Sequence, residues 1–281
     1  MILPLASGVF APVAPSDRPV CWAVTGRLGG SSVGEFSYGN IAPHVGDDPL
    51  ATSRNLDSLA ALVGVKETDL ALMQAAHGSS IARVHGAGTF SGVDSLITDR
   101  AEVGLVAMGA DCAPLIFCAF RAGNTPLISA IHCGWKGLVA GVVEATIVEL
   151  RERGATYIRS VVGPAICGVC YSSSTDRREM IRSSTQREVA QAALREPGGI
   201  DVREGVITQL RNAGIETQVV GGCTYGNPET LFSYRRETRT GRQGIVVAMR
   251  ESQVPSRARM PAFEPKNWTK IYKPRMNALT R

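Results

Sequence analysis

Residues 114–154 have the sequence PLIFCAFRAGNTPLISAIHCGWKGLVAGVVEATIVELRERG. Two apolar runs, 114–120 and 126–135, have the length and composition of buried β-strands, and turn-forming residues separate them. Apolar residues then recur at helical spacing over 138–153, and Gly154 is placed to end a helix there. This stretch therefore predicts two consecutive strands followed by an amphipathic helix.

The same alternation of strand and helix patterns extends outward along the chain in both directions. Further short apolar runs bounded by Gly, Asp or Pro occur at 21–27, 70–78, 95–99, 104–112, 160–166, 217–225 and 244–250. Further helices are predicted at 49–63, 176–195 and 201–213, the last with Asp201 as its N-cap. These strands are enough for two sheets, and no strong linker divides residues 20–250. One domain is therefore predicted there.

The net charge of +5 lies entirely in the C-terminal residues. Residues 251–281 contain seven Lys or Arg and two Glu, so the first 250 residues are neutral overall. A basic tail can contact acidic partners, but we interpret 251–281 as a solvated, partly disordered extension. The folded part therefore gives no electrostatic reason to expect a specific nucleic-acid partner.

Two features indicate the cellular compartment. Residues 1–19, interpreted as an N-terminal extension, lack the basic start and unbroken apolar run of a signal peptide, and no run of about 18 apolar residues occurs elsewhere. Seven cysteines at irregular spacing fit reduced thiols better than a disulfide framework. We therefore expect a cytoplasmic protein without a membrane partner, some of whose thiols could bind a metal.

Three candidate metal ligands, His77, Cys112 and His132, each come at the end of an apolar run and next to a turn. Two imidazoles and one thiolate form a known catalytic zinc set, which leaves a fourth position open for water or substrate. Their long spacing matches no short zinc motif, so the residues alone leave alternatives open. The side chains could instead be structural, or Cys112 could be a nucleophile with a histidine base and Asp111 as the orienting group.

Other candidate residues are less specific. Cys167 and Cys170 form a CGVC motif, but no second pair with this spacing occurs, and a structural loop is the favoured interpretation. Basic residues beside glycines could bind an anionic substrate or form surface salt bridges: Arg27, Lys136, Arg235, Arg236 and Arg242. Neither a GxGxxG nor a P-loop pattern occurs, so no nucleotide-phosphate loop of those kinds is predicted.

At these same segments the chain resembles the YfiH-like purine nucleoside phosphorylase family, formerly called the multicopper polyphenol oxidoreductase or laccase-domain family. The resemblance covers about residues 20–250. It rests on ten motifs in the family's order: TGRLGG (25–30), HVGDDP (44–49), AAHG (75–78), SLITDR (95–100), ADCAP (110–114), HCGWKGLVAGVVEAT (132–146), GPAICGVCY (163–171), CTY (223–225), FSYRR (232–236) and TGRQG (240–244).

The resemblance implies an α+β fold, a single compact domain with a mixed, two-layered β-sheet core flanked by helices. It implies one zinc ion held by His77, Cys112 and His132, with copper as the less favoured metal. Family members are associated with phosphorolysis of adenosine, inosine, guanosine and methylthioadenosine, and with deamination of adenosine. The expected partners are therefore purine nucleosides and phosphate.

Roles for further residues follow as hypotheses. We predict that Asp111 carries protons in catalysis and that Arg27 or Arg242 holds phosphate. Asn40 and His44 are the other predicted substrate-binding residues. A monomer is favoured.

Several positions depart from the family pattern, among them Leu56, which stands where the family has Arg in the first helix. Ala75 stands where the family usually has Gln, and Lys136 stands where it has Arg. Ser172 replaces a common Glu, and Gly226 replaces a common second Cys. These changes could alter the support of the site and the substrate preference.

Two other functions remain alternatives. One is a copper polyphenol oxidase, although four histidines are fewer than a blue copper site plus a trinuclear cluster ordinarily uses. The other is a non-catalytic factor in peptidoglycan quality or cell division, in which the metal is structural.

Overall fold

Two β-sheets face each other in the computed structural model, which describes residues 1–13 and 18–250 and the backbone of 269–272. Sheet A contains, in spatial order, β1 (Ile2–Phe10), β2 (Val20–Gly29), β14 (Gln243–Met249), β7 (Gly104–Gly109), β3 (Leu70–Gln74) and β5 (Gly88–Ser91). Sheet B contains β15 (Thr269–Tyr272), β13 (Glu216–Val220), β10 (Ala155–Val162), β8 (Ala113–Arg121), β9 (Asn124–Cys133), β6 (Ser95–Thr98) and β4 (Ile81–Arg83). A separate short hairpin pairs β11 (Leu194–Arg195) with β12 (Gly199–Ile200).

Helices cover the outer faces of both sheets. They are α1 (Pro49–Val63), α2 (Trp135–Ala140), α3 (Val142–Glu152), α4 (Thr175–Ser184), α5 (Arg187–Ala193), α6 (Val202–Asn212) and the short α7 (Tyr234–Glu237). Helix α1 packs on sheet A, α2, α3 and α6 pack on sheet B, and α4 and α5 pack against α2 and α6. Within the described residues, no helix has both the length and the apolar character needed to cross a membrane.

The alternation of side chains along the strands explains this layered packing. In β7 and β14, Leu105 and Ile245 point between the two sheets, while their neighbours Val106 and Val246 pack under α1. Because both faces of these strands are buried, their sequences are continuously apolar rather than alternating. The result is four layers, in the order helix, sheet, sheet and helices.

The predicted fold class is confirmed, because the chain forms one compact α+β unit with two mixed sheets. All nine predicted strands are present, although several end earlier than expected. Helix α1 has the predicted bounds and ends at Gly64, which adopts a left-handed conformation with φ of 79°. Asp201 caps α6, where its side chain accepts a hydrogen bond from the Glu204 backbone.

Two predicted helices are each split in two. The helix expected over 138–153 begins earlier, at Trp135, and breaks at Gly141, whose left-handed backbone (φ of 74°) ends α2 and starts α3. The helix expected over 176–195 breaks at Thr185, which has an extended backbone, and its last two residues form β11 instead. Apolar periodicity continues across each break, so it did not reveal them.

Parts of both predicted extensions belong to the sheets. Residues 2–10, predicted to lie outside the domain, form β1 and pair antiparallel with β2. In the predicted tail, residues 269–272 form β15 and pair with β13 at the edge of sheet B. Edge strands carry a weak sequence signal because one side of each pairs with no strand and solvent-facing positions need not be apolar. Residues 251–268 and 273–281 lie outside the described residues.

Candidate active site

Strand pairing brings the three predicted metal ligands to one place. Strands β3 and β7 are parallel neighbours, so their carboxyl ends lie at the same edge of sheet A. His77 follows β3 by three residues, and Cys112 lies in the link from β7 to β8. Strand β8 pairs with β9 so that Pro114 lies opposite His132, which places His132 beside that link.

The ligand atoms of His77, Cys112 and His132 all lie within 4.8 Å of one another. The two imidazole rings are 4.8 Å apart and meet edge to face at 83°. His132 is buried, Cys112 is half-buried and His77 is exposed. Zinc bonds of about 2.0–2.3 Å to nitrogen and sulfur need tetrahedral donors about 3.3–3.8 Å apart, so a small closure would complete the set. The residues present therefore fit a metal ion.

The backbone around the ligands adopts conformations that non-glycine residues rarely use. His77 has φ of 62° and its neighbour on the other loop, Asp111, has φ of 109°. Such conformations cost free energy and persist only where the surrounding structure holds them. Gly134 allows the close approach, because a Cβ atom there would lie 3.0 Å from the Cys112 sulfur and 3.3 Å from the His77 ring. The glycine turn after His132 is thus required by the site.

Asp94 joins two of the ligand-bearing segments. Its fully buried carboxylate accepts hydrogen bonds from the backbone N–H groups of His77 and Gly78, at 2.9 and 2.8 Å. The same carboxylate lies 3.0 Å from Nδ1 of His132. A carboxylate on one ring nitrogen fixes the orientation of a histidine and leaves Nε2 available for a metal.

Electrostatic effects couple the cysteine to the buried histidine, and a metal ion would take the place of the histidine proton. Burial alone raises the pKa of the Cys112 thiol, but His132 and His77 outweigh it and lower that pKa to about 6. Burial lowers the pKa of His132, but Cys112 and Asp94 outweigh it and raise that pKa to about 9. Without metal, the two side chains therefore form a thiolate–imidazolium pair near neutral pH.

Asp111 lies in the cavity wall next to Cys112, with its carboxylate held by the protein. Oδ1 accepts hydrogen bonds from the hydroxyls of Thr224 and Ser233, at 2.6 and 2.7 Å, and Oδ2 accepts one from the Arg235 backbone at 2.6 Å. These contacts give Asp111 a positioning function, since they join three loops around the site. The proton-transfer role stays a prediction.

A cavity of about 830 Å³ opens directly above the three ligands. Its walls carry three aromatic rings, each near a guanidinium group. Arg177 lies 5.2 Å from the Trp135 ring, Arg235 lies 5.5 Å from Tyr171, and Arg242 lies 5.8 Å from Tyr234. The cavity therefore combines flat apolar surfaces with positive charge, and its volume is in the range of small-molecule sites.

Two of the four predicted substrate-binding residues line this cavity, namely His44 and Arg242. Arg27 does not. Its guanidinium pairs with Glu237 at 2.9 Å and donates to the Ser37 carbonyl at 2.6 Å. Asn40 is fully buried, and its side chain binds Asp47 and the backbone of Arg242 instead of the cavity. The structure therefore does not support a direct substrate contact for Arg27 or Asn40.

Five residues that shape the site were not predicted from the sequence: Asp94, Trp135, Tyr171, Arg177 and Tyr234. Asp94 stands directly before a buried strand, and an acidic residue at that position is a sequence signal for a functional or structural role. Trp135, Tyr171 and Tyr234 lie inside three of the family motifs, where their aromatic character alone does not indicate a role in a cavity. Arg177 lies on α4, whose sequence gives no sign of the cavity.

A sequence profile described as multi-copper polyphenol oxidoreductase laccase matches residues 21–250. The chain belongs to this laccase family. Named relatives are purine nucleoside phosphorylases. One from Corynebacterium glutamicum is 31% identical, with 83% of this chain and 96% of that protein covered. The Escherichia coli K12 protein YfiH is also 31% identical, with 86% and 98% covered.

Solved structures of similar proteins have the same fold. YlmD from Geobacillus stearothermophilus superposes with a TM-score of 0.74 at 30% identity, covering 87% of this chain and 97% of that one. YfiH from Bacillus licheniformis gives a TM-score of 0.75 at 26% identity, covering 82% and 93%. The family resemblance and the fold inferred from the sequence are both confirmed.

The hydrogen bonds of Asp94 lead to a prediction about metal affinity. We expect Asp94→Asn to weaken Zn²⁺ binding by about 10- to 100-fold, because an amide replaces the charged acceptor that orients His132. Competition with a chromophoric chelator measures this affinity. Asp99→Asn is the matched control, since Asp99 pairs with Arg121 on the surface. Equal zinc affinity in both variants would exclude the orienting role.

The ion pair between Arg27 and Glu237 leads to a prediction about stability. Burial raises the pKa of Glu237, but hydrogen bonds from Thr240, Arg27 and Arg236 outweigh it and leave the pKa below its ordinary value of 4.5. A carboxylate with a lowered folded-state pKa stabilises the protein above pH 4.5, and that contribution disappears as the pH falls through the lowered value. We expect Glu237→Gln to lower the melting temperature at pH 7 and to match the wild type progressively below pH 4.5. A difference in melting temperature between Glu237→Gln and the wild type that stays the same at every pH would contradict this account.

Proposed function

We propose that the protein is a zinc-dependent purine nucleoside phosphorylase that also deaminates adenosine. The names of the relatives support the phosphorylase activity. The observation that carries the proposal is the set of metal ligands at the floor of a cavity whose walls pair aromatic rings with guanidinium groups. A purine nucleoside and phosphate need these two kinds of surface.

The donor set of two imidazoles and one thiolate favours zinc. His77, Cys112 and His132 would hold the ion and leave one coordination position toward the cavity. A bound zinc ion would act as a Lewis acid toward a substrate oxygen or a water molecule. Asp94 keeps His132 oriented for this binding, and Gly134 leaves room for the thiolate.

Aromatic rings in the wall provide a surface for the purine. Trp135, Tyr171 and Tyr234 line the cavity, and a flat heteroaromatic base packs favourably against such rings. The guanidinium groups beside them are attracted to the ring faces and add positive charge at the wall.

Arg242 is the proposed phosphate ligand. It is half-buried, and its Nη1 donates to the carbonyls of Thr240 and Gly241. Among the described residues, no hydrogen bond uses its other two guanidinium nitrogens. Burial lowers the pKa of Arg242, more than nearby Cys112 and Asp111 raise it, so the cation is poorly solvated and an anion would stabilise it.

His44 lies on the same wall as Arg242. Burial and the nearby Arg242 charge both lower its pKa. His44 is therefore neutral near pH 7, and its ring can exchange hydrogen bonds with an uncharged group of the substrate. Asp111 is the candidate proton carrier for deamination, because Oδ2 accepts one protein hydrogen bond and retains capacity for another.

The alternatives fit the cavity less well. A multicopper oxidase needs several imidazole-rich copper sites, whereas His44, His77 and His132 are the histidines that line this cavity. A purely structural metal is typically enclosed by four protein ligands, whereas the three residues here border an open cavity of about 830 Å³.

The direct test is a nucleoside panel with and without phosphate, analysed by chromatography. Inosine should release hypoxanthine only with phosphate, and adenosine should yield inosine without phosphate. Both reactions should stop after chelation and recover with Zn²⁺. Oxidation of phenols by the copper-loaded protein, without nucleoside turnover, would refute the proposal.

Two arginine variants test the phosphate contact. Arg242→Met should raise the KM for phosphate by about 10- to 100-fold, the value of a charge-assisted hydrogen bond of about 1.5–3 kcal/mol, and leave adenosine deamination largely intact. Arg27→Met is the matched control, since its guanidinium binds Glu237 outside the cavity. It should lower the melting temperature without changing that KM. A raised KM in Arg27→Met alone would reverse the assignment.

A further inference from the structure

A second cluster of thiols lies outside the proposed active site. Strands β10 and β13 are parallel neighbours in sheet B, so the loops that follow them leave the same edge. The first loop contains Cys167 and Cys170 of the CGVC motif, and the second contains Cys223. Sequence spacing alone did not link Cys223 to the motif, because Cys223 lies 53 positions after Cys170.

The three sulfur atoms lie within 4.8 Å of one another. All three residues are half-buried free thiols. The backbone N–H of Cys167 points at the Cys223 sulfur at 3.3 Å, and the Cys170 N–H donates to the Cys167 carbonyl at 3.1 Å. The first loop therefore forms a tight turn that presents both of its sulfurs to the third.

We propose that Cys167, Cys170 and Cys223 bind a thiophilic divalent metal ion, with Zn²⁺ as the best fit. A zinc–sulfur bond of about 2.3 Å places thiolates about 3.8 Å apart, so the loops need to close by less than about 1 Å. The two-residue spacing of Cys167 and Cys170 is common in zinc sites because the turn directs both sulfurs to one side. The partial exposure of the cluster leaves a fourth position for water.

This metal would hold two loops that shape the active-site cavity. Ile166, next to Cys167, donates its N–H to the Asp111 carbonyl, and Thr224, next to Cys223, donates its hydroxyl to the Asp111 carboxylate. Tyr171, next to Cys170, lines the cavity. A metal at the thiol cluster would therefore stabilise the wall without touching substrate, whichever reaction the cavity performs.

Cobalt binding tests the site independently of activity. We use the full chain with Cys112→Ala, stripped of metal and kept under a non-thiol reductant, so that the first site lacks its thiolate. Titration with Co²⁺ should give a near-ultraviolet sulfur-to-cobalt charge-transfer band that saturates at one ion per chain, and Zn²⁺ should displace it. Adding Cys223→Ala or the pair Cys167→Ser and Cys170→Ser should remove the band.

Cys21→Ala in the same background is the matched control, because Cys21 is a buried thiol of β2 outside both clusters. It should keep the band. Metal analysis of the unmutated chain needs no cluster variant and should find two zinc ions per chain. The proposal is overturned if Cys112→Ala, with a wild-type melting transition, gives no charge-transfer band. It is equally overturned if the band survives substitution of all three cysteines. A disulfide between any two of them under reducing conditions would also overturn it.

Discussion

The buried carboxylate of Asp94 is the constraint on which the proposed active site depends. A buried charge costs several kcal/mol unless hydrogen bonds compensate it. Here two backbone N–H groups of the His77 turn and the ring of His132 supply that compensation. Burial raises the pKa of Asp94, but these contacts outweigh it and lower that pKa. The charge is therefore stable only when the loop after β3 and the end of β9 both lie against the Asp94 carboxylate.

This requirement explains the strained backbone nearby. His77 adopts a left-handed conformation because both its N–H and that of Gly78 must point at one carboxylate. Asp111 also has a positive φ. The link from β7 to β8 must deliver Cys112 to the site and the Asp111 side chain to two other loops, those of Thr224 and of Ser233. Strain at these two positions is offset by these hydrogen bonds.

Sequence patterns predicted what depends on burial and local chemistry. The nine apolar runs predicted the central strands. The placement of His77, Cys112 and His132 beside strand ends predicted a shared site, and the three ends do meet in the structure. The same reasoning failed where a residue's role depends on distant partners. Arg27 stands in a glycine-rich motif like a phosphate ligand, yet Glu237, 210 positions later, binds its guanidinium. The breaks at Gly141 and Thr185 were missed because apolar periodicity reports which face is buried and not whether the backbone continues.

Both cysteine-containing clusters arise from the same feature of the two sheets. In sheet A, parallel pairing of β3 with β7 brings the His77 turn to the link that carries Cys112. In sheet B, parallel pairing of β10 with β13 brings the CGVC turn to Cys223. Parallel neighbours end at the same edge, so residues far apart in sequence converge without any local motif. Asp111 connects the two edges, since it precedes Cys112 and binds Thr224 beside Cys223. Movement of either loop would therefore disturb the other through this one carboxylate.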